Sequence, residues 1–106
     1  MIRILQNRPP THPGVMLVKE FLEPMGITQR ELANAIHVPY QRINELANQR
    51  RGITPSTALR LSKFFNNSPD FWLNLQARCD LYKAQKAESR DIKTIKDYHF
   101  YEKISV

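Results

Sequence analysis

The chain has 106 residues, a formal net charge of +6 and a single cysteine, with a sequence pI of about 9.8. That length gives one domain with one modest core, and one cysteine excludes an internal disulfide framework and any cysteine-rich metal site. No run of about 18 apolar residues is present to cross a bilayer; the first residues lack the apolar core of a secretion signal, so a reducing cytoplasm is the expected compartment.

Residues 1–12 read as an irregular arm that ends in Pro9-Pro10. Pro13 suits the first turn of a helix running to about Leu22, with Met16, Leu17 and Phe21 as core candidates. Pro24-Met25-Gly26 closes it. Thr28 is a good N-cap, and Glu31 three residues later completes a capping box. Leu32, Ala33 and Ile36 then share one helical face. His37-Val38-Pro39 breaks the pattern, because a proline pushes the residue before it out of the helical region. A second helix follows, with Ile43, Leu46 and Ala47 as its apolar stripe. Two short helices around a tight turn are the layout of a helix-turn-helix, whose second helix can lie in a DNA major groove.

After Asn48, residues 49–53 are a loop. Thr54 and Pro55 restart the chain as N-cap and first helical residue, with Ala58, Leu61, Phe64 and Phe65 expected to turn inward. Asn66-Asn67 stops that helix. Ser68-Pro69-Asp70 repeats the start signal for a fifth, reaching roughly Glu88. Cys79 falls among its helix-patterned residues and reads as a small buried hydrophobe. The expectation is an all-α domain of five short helices over residues 13–88. Residues 89–106 differ. They mix charge with Ile92, Ile95, Tyr98, Phe100, Tyr101, Ile104 and Val106, and read as a disordered tail, a segment that orders against a partner, or a short strand.

Between Thr28 and Lys63 stand Arg30, Arg42, Arg50, Arg51, Arg60 and Lys63 against Glu31 and Glu45. A surplus of that sign suits a polyanionic partner. With Ile43, Leu46 and Ala47 against the core, the other face of the second motif helix presents Gln41, Asn44, Glu45 and Asn48, with Arg42 on its flank. Gln and Asn amides pair bidentately with adenine, and Glu accepts from the cytosine amino group. Tyr40 stands at the helix N-terminus, where base edges are approached first. Gln29 is placed for a phosphate contact at the start of the first motif helix. Arg42, Asn48, Arg50 and Arg51 are further backbone candidates, with Arg30 and Arg60 weaker ones. The alternative for each is a solvated polar surface.

The fifth helix carries two apolar stripes. Trp72, Leu75, Cys79 and Tyr82 form one; Leu73, Ala77, Leu81 and Ala84 form the other. One helix of a domain this small seldom needs both for its own core, so Trp72, Leu73, Leu75, Ala77 and Leu81 are expected in a two-fold dimer interface. The alternative is a helix wrapped deep in the monomer. Such a dimer sets two reading helices about 34 Å apart, the spacing of a palindromic site.

The run Thr28-Gln29-x-Glu31-Leu32-Ala33, with Ile43-x-x-Leu46 beyond the turn, resembles the motif of phage lambda-type repressors and Cro, the XRE family. Residues 8–84 resemble HigA-type antitoxins of bacterial toxin–antitoxin modules more specifically. The distinctive parts are Arg50-Arg51-Gly52-Ile53-Thr54-Pro55 and Ser68-Pro69-Asp70-Phe71-Trp72-Leu73-Asn74-Leu75-Gln76. The resemblance implies a lambda-repressor-like fold and a homodimer that binds a palindromic operator before its own operon. It also implies a small RelE-like toxin as partner, an mRNA-cleaving ribonuclease that the antitoxin silences. By position, Pro39, Tyr40, Gln41 and Asn44 fall where the family reads bases, and Gln29 where it touches phosphate. Two residues depart from the pattern. His37 replaces a common glycine at a turn that often needs positive φ. Pro39 replaces a Ser or Thr N-cap, so a cap worth about 1 kcal/mol is missing.

No glycine-rich phosphate loop, histidine pair at metal spacing or nucleophile motif is present, so neither a cofactor nor catalysis is expected. The rivals are a small ribonuclease using Lys96, Tyr98, His99 and Tyr101 of the tail for acid–base chemistry, and a repressor with no toxin partner. Apolar residues in the arm (Ile2, Ile4, Leu5) and in the tail are candidates for folding onto a partner. Glu20, Glu23, Asp70, Asp80 and Glu88 are candidates for an acidic docking patch outside the reading motif.

Overall fold

Five helices account for most of residues 8–100, the part of the chain that the computed structural model describes. Helix α1 has three consecutive stretches: Pro13–Leu17 is α-helical, Val18–Leu22 π-helical and Glu23–Met25 α-helical. Then come α2 (Gln29–Ile36), α3 (Tyr40–Ala47), α4 (Pro55–Phe65) and α5 (Pro69–Thr94). There is no strand among the described residues. The all-α expectation therefore holds. Ile2, Ile4 and Leu5 of the arm, and Tyr101, Ile104 and Val106 of the tail, lie outside the described residues.

Helix α1 begins on a histidine cap. His12 Nδ1 accepts the Gly14 N–H at 2.9 Å, and Pro13 supplies the first helical residue. Burial lowers the His12 pKa, Lys83 lowers it further and Asp80 opposes them, which favours the neutral ring that can accept this bond. The helix then passes Pro24 instead of ending near Leu22. A proline clashes with the carbonyl one turn behind it in a regular α-helix. Here the Glu23 N–H donates to the Val18 carbonyl across a widened π turn, which changes the carbonyl spacing ahead of the ring. Gly26 closes the helix in the left-handed region, at φ 65°, where a side chain would be strained.

The motif helices start and stop as their sequence signals direct. Thr28 Oγ1 accepts the Glu31 N–H at 3.0 Å, and the Glu31 carboxylate accepts the Thr28 N–H at 2.9 Å. Those bonds hold the Glu31 pKa below its ordinary value. His37 ends α2 at φ 62°. Pro39 caps α3 with no side-chain hydrogen bond. Both departures from the family pattern thus have the structural consequence expected of them. Thr54 and Ser68 cap α4 and α5, each with proline following.

Leu17, Leu32, Ile43, Leu46, Leu61 and Trp72 are the large side chains at the centre of the core. Around Trp72, the rings of Phe21, Phe65 and Phe71 lie 5.0–6.1 Å away, centroid to centroid, within the range of favourable aromatic pairing. The indole Nε1 donates to Asn67 Oδ1 at 3.1 Å, so the polar end of the ring is satisfied as well. This corrects the expectation of Trp72 at a dimer surface: the ring is 0% exposed and belongs to its own protomer's core. Leu75 and Leu73, two other expected interface residues, are half-buried and pack on the same core. Phe64 is a second correction. It stands at 39% exposure instead of turning inward, because Phe65 beside it takes the place against Phe21.

Helix α5 outruns the body. Cys79 is its last buried residue, with Sγ 3.5 Å from the Thr11 carbonyl, and burial raises its pKa. Beyond it the helix continues to Thr94 rather than stopping near Glu88, so residues 89–94 are helix and not tail. Residues 98–100 add a further helical turn. The long axis of the molecule reaches 63 Å against 24 and 21 Å across.

Candidate nucleic-acid interface

Helices α2 and α3 meet through a polar network on their exposed side. Gln29 is the first residue of α2, and its Oε1 accepts a hydrogen bond from Asn44 Nδ2 of α3 at 3.1 Å. The same amide donates to the Tyr40 hydroxyl at 3.2 Å, and Asn48 Nδ2 donates to Asn44 Oδ1 at 3.2 Å. Tyr40, Asn44 and Asn48 are spaced four apart and share one helical face. Arg30 of α2 completes the junction, with its guanidinium carbon 4.1 Å from the centre of the Tyr40 ring. Asn44 thus ties the start of the first motif helix to the face of the second.

A second group lies beside it. Glu45 accepts from Arg51 Nε and Nη2, both at 3.0 Å, and from Gln41 Nε2 at 3.5 Å. Pro39, Gln41, Arg42, Glu45 and Arg51 line one shallow depression. Arg51 was expected as a free backbone clamp, and in this structure it is held by Glu45. The pair is solvent-exposed, so separating it costs little, about 0–1 kcal/mol. Arg50 is exposed, and its backbone N–H donates to the Glu45 carbonyl at 2.8 Å.

Arg60 has a structural role that its charge alone did not reveal. Its Nη1 donates to the Ile36 carbonyl at 2.9 Å and to that of His37 at 3.4 Å. These are carbonyls that the end of α2 leaves open, so Arg60 links α4 to the motif. The loop after α3 is fixed in a similar way: Gln76 Oε1 of α5 accepts the Ile53 N–H at 2.7 Å. The expected base and phosphate candidates of α2, α3 and the following loop are therefore gathered on a surface braced from behind. Among the described residues no group of three or more His, Cys, Asp or Glu side chains is arranged to hold a metal. Among those residues no helix is long and apolar enough to cross a membrane.

The helix-turn-helix family matches residues 18–72, the span from α1 into the start of α5. Antitoxin HigA-1 of Vibrio cholerae is 38% identical over 90 residues, which cover 85% of this chain and 85% of that one. The chain belongs to the HigA-type helix-turn-helix family. Another relative by sequence is virulence-associated protein I of Dichelobacter nodosus, 46% identical over 78 residues, 74% of this chain and 72% of that one. Among solved structures, Pseudomonas aeruginosa antitoxin HigA with the higBA promoter superposes at TM-score 0.80 and 36% identity, covering 86% of this chain and 99% of that one. Gln76 and Ile53 lie in the two stretches that carry the HigA resemblance. Their hydrogen bond joins the loop after α3 to α5.

Proposed function

We propose that this chain is the antitoxin of a type II toxin–antitoxin system and a sequence-specific repressor of its own operon, acting in the cytoplasm as a homodimer. The observation that carries the DNA-binding part is the hydrogen bond from Asn44 to Gln29, which sets the reading face of α3 against the N-terminus of α2. Gln41 reads base edges by its amide, and Asn44 does so through the remaining lone pair of its Oδ1 and by exchanging its Tyr40 contact for a base while keeping Gln29, with Tyr40, Glu45 and Pro39 framing them. Gln29 and the backbone at the start of α2 take a phosphate. Arg42, Asn48, Arg50 and Arg51 hold the backbone on either side, Arg51 by exchanging Glu45 for phosphate. The solved structure of the Pseudomonas aeruginosa relative with its promoter supports this reading.

The toxin half of the proposal rests on the V. cholerae relative's being an antitoxin. The partner is a RelE-like mRNA endonuclease, docked away from α3 so that the complex can still hold DNA. The dimer is formed through the outward side of α5, where Ala77 and Leu81 follow one another beyond the core-packed Leu73. Leu81 is 42% exposed in the protomer.

Two experiments test these halves separately. Purified protein should shift a duplex taken from upstream of its own gene and leave a scrambled duplex of equal length unshifted. Co-expression with the neighbouring small reading frame should rescue growth from that frame's expression and yield a co-purifying complex. Specific DNA binding without rescue or co-purification would leave a repressor with no toxin partner.

A further inference from the structure

Tyr40 is the first residue of α3, at the leading end of its polar face. Its ring is 37% exposed, yet two neighbours hold it in place. The Arg30 guanidinium of α2 covers one face of the ring, 4.1 Å from its centre. Asn44 Nδ2, one turn along α3, donates to the hydroxyl at 3.2 Å. A free surface side chain loses rotamer freedom when a partner binds it. Here the fold has already fixed the ring, so binding it costs less.

The two contacts differ once DNA is present. When Asn44 turns its second amide hydrogen to a base, Arg30 alone keeps the ring in position. Among the described residues Arg30 makes no ion pair, so no carboxylate draws it off the ring. Its N–H edge is left for a phosphate, and Gln29 beside it stands at the start of α2, where a phosphate is held.

The chemistry of the groove decides what the ring meets. Tyr40 shares a helical face with Asn44 and Asn48, so it lies with the base-reading amides and not with the arginines of the following loop. Base edges in the major groove are hydrogen-bond donors and acceptors with one apolar exception, the C5-methyl group of thymine. The Gln41 and Asn44 amides suit adenine, and each A·T pair sets a thymine methyl in the same groove. An exposed aromatic edge held among adenine readers has that methyl as its complement.

We propose that the Tyr40 ring reads the C5-methyl group of a thymine, with Arg30 as the positioning residue that holds the ring against it. The proposal rests on the reading-helix assignment and deepens it by naming the base and the group recognised.

The test is a titration of the upstream duplex in versions that carry uracil for thymine, one position at a time. Uracil keeps every hydrogen-bonding group of thymine and lacks only the methyl. Wild type should lose about fourfold in affinity at one position at least, the effect of one buried methyl-sized group. At that position Tyr40→Phe should keep the loss, and Tyr40→Ala should bind the two duplexes equally. Arg30→Ala should bring the ratio below about twofold, which the loss of a phosphate contact alone does not do. Each comparison is a ratio within one variant, so a smaller folded fraction leaves it unchanged. If wild type prefers the upstream duplex to a scrambled one but tolerates every uracil, the proposal is overturned and the reading helix stands. A uracil loss that persists in Tyr40→Ala would assign the methyl to another side chain and overturn it as well. An undiminished ratio in Arg30→Ala would overturn the positioning role. If wild type shows no preference for the upstream duplex, the reading helix itself fails, and the proposal with it.

Discussion

The side-chain amide of Asn44 donates to the side-chain carbonyl of Gln29 across 3.1 Å, and these two residues are fifteen positions apart. One is the first residue of α2 and the other lies in the middle of α3. The bond fixes how the reading face sits relative to the α2 N-terminus, so the two residues should act as a unit when DNA is bound. A double-mutant cycle on operator affinity with Gln29→Ala and Asn44→Ala should return a coupling of about 0.5–3 kcal/mol. Simple additivity would show that the bond does not contribute to the DNA-bound geometry.

His37 occupies the left-handed region at φ 62°, which costs an L-residue about 1–2 kcal/mol. Its side chain is exposed, so glycine removes that strain without opening a cavity. His37→Gly should stabilise the fold by about 1 kcal/mol, raising the melting temperature by roughly 4–8 °C for a domain of this size. A lower melting temperature on calorimetry would refute the strain argument.

Gly14 tests the packing of α1 on the motif. A Cβ at this position would overlap the Leu46 carbonyl oxygen, and a backbone atom cannot swing aside as a long side chain can. Gly14→Ala should destabilise by about 1–3 kcal/mol, the usual cost of overpacking. Because Leu46 lies on α3, operator affinity should fall as well. A thermal melt superimposable on wild type would show that the two helices are free to separate.

His12 links stability to pH. Its pKa is lowered in the folded protein, chiefly by burial, so the unfolded chain takes up the proton more readily. The stabilisation is present above the ordinary histidine value of about 6.5 and is lost as pH falls from there through the lowered folded value. Denaturant midpoints should therefore drop as the pH falls below about 6.5, and His12→Asn should flatten that part of the profile. An unchanged slope in the variant would assign the drop to other groups.

Local signals carried most of the fold. Thr28 with Glu31, Thr54 with Pro55 and Ser68 with Pro69 each announced a helix start by chemistry contained within a few residues, and each start is where the signal put it. Errors arose where the deciding partner is distant in sequence. Nothing near Arg60 shows that its guanidinium closes the carbonyls of Ile36 and His37. Trp72 shares a stripe with Leu75 and Cys79, and periodicity cannot distinguish a face buried in the protomer from one buried between protomers. The run of α5 to Thr94 was hidden for a different reason. Its last turns are charged on most sides, and helical pattern reading depends on an apolar stripe. The polar face of α3 was legible as a set of candidates. Its coupling to Gln29 and the pairing of Arg51 with Glu45 were not, although the spacing of Tyr40, Asn44 and Asn48 carried part of that network.

The central claim is that α3 reads base pairs through Gln41 and Asn44. The most direct test is a fluorescence titration of the upstream duplex and a scrambled duplex, at several salt concentrations, with wild type, Gln41→Ala, Asn44→Ala and Arg51→Ala. Wild type should lose affinity with salt at a slope of about 0.9 for each phosphate neutralised. Gln41→Ala and Asn44→Ala should each cost about 1–3 kcal/mol on the upstream duplex and little on the scrambled one. Arg51→Ala should weaken both duplexes alike and reduce the salt slope by about one. Full affinity and full discrimination in both Gln41→Ala and Asn44→Ala would contradict the account.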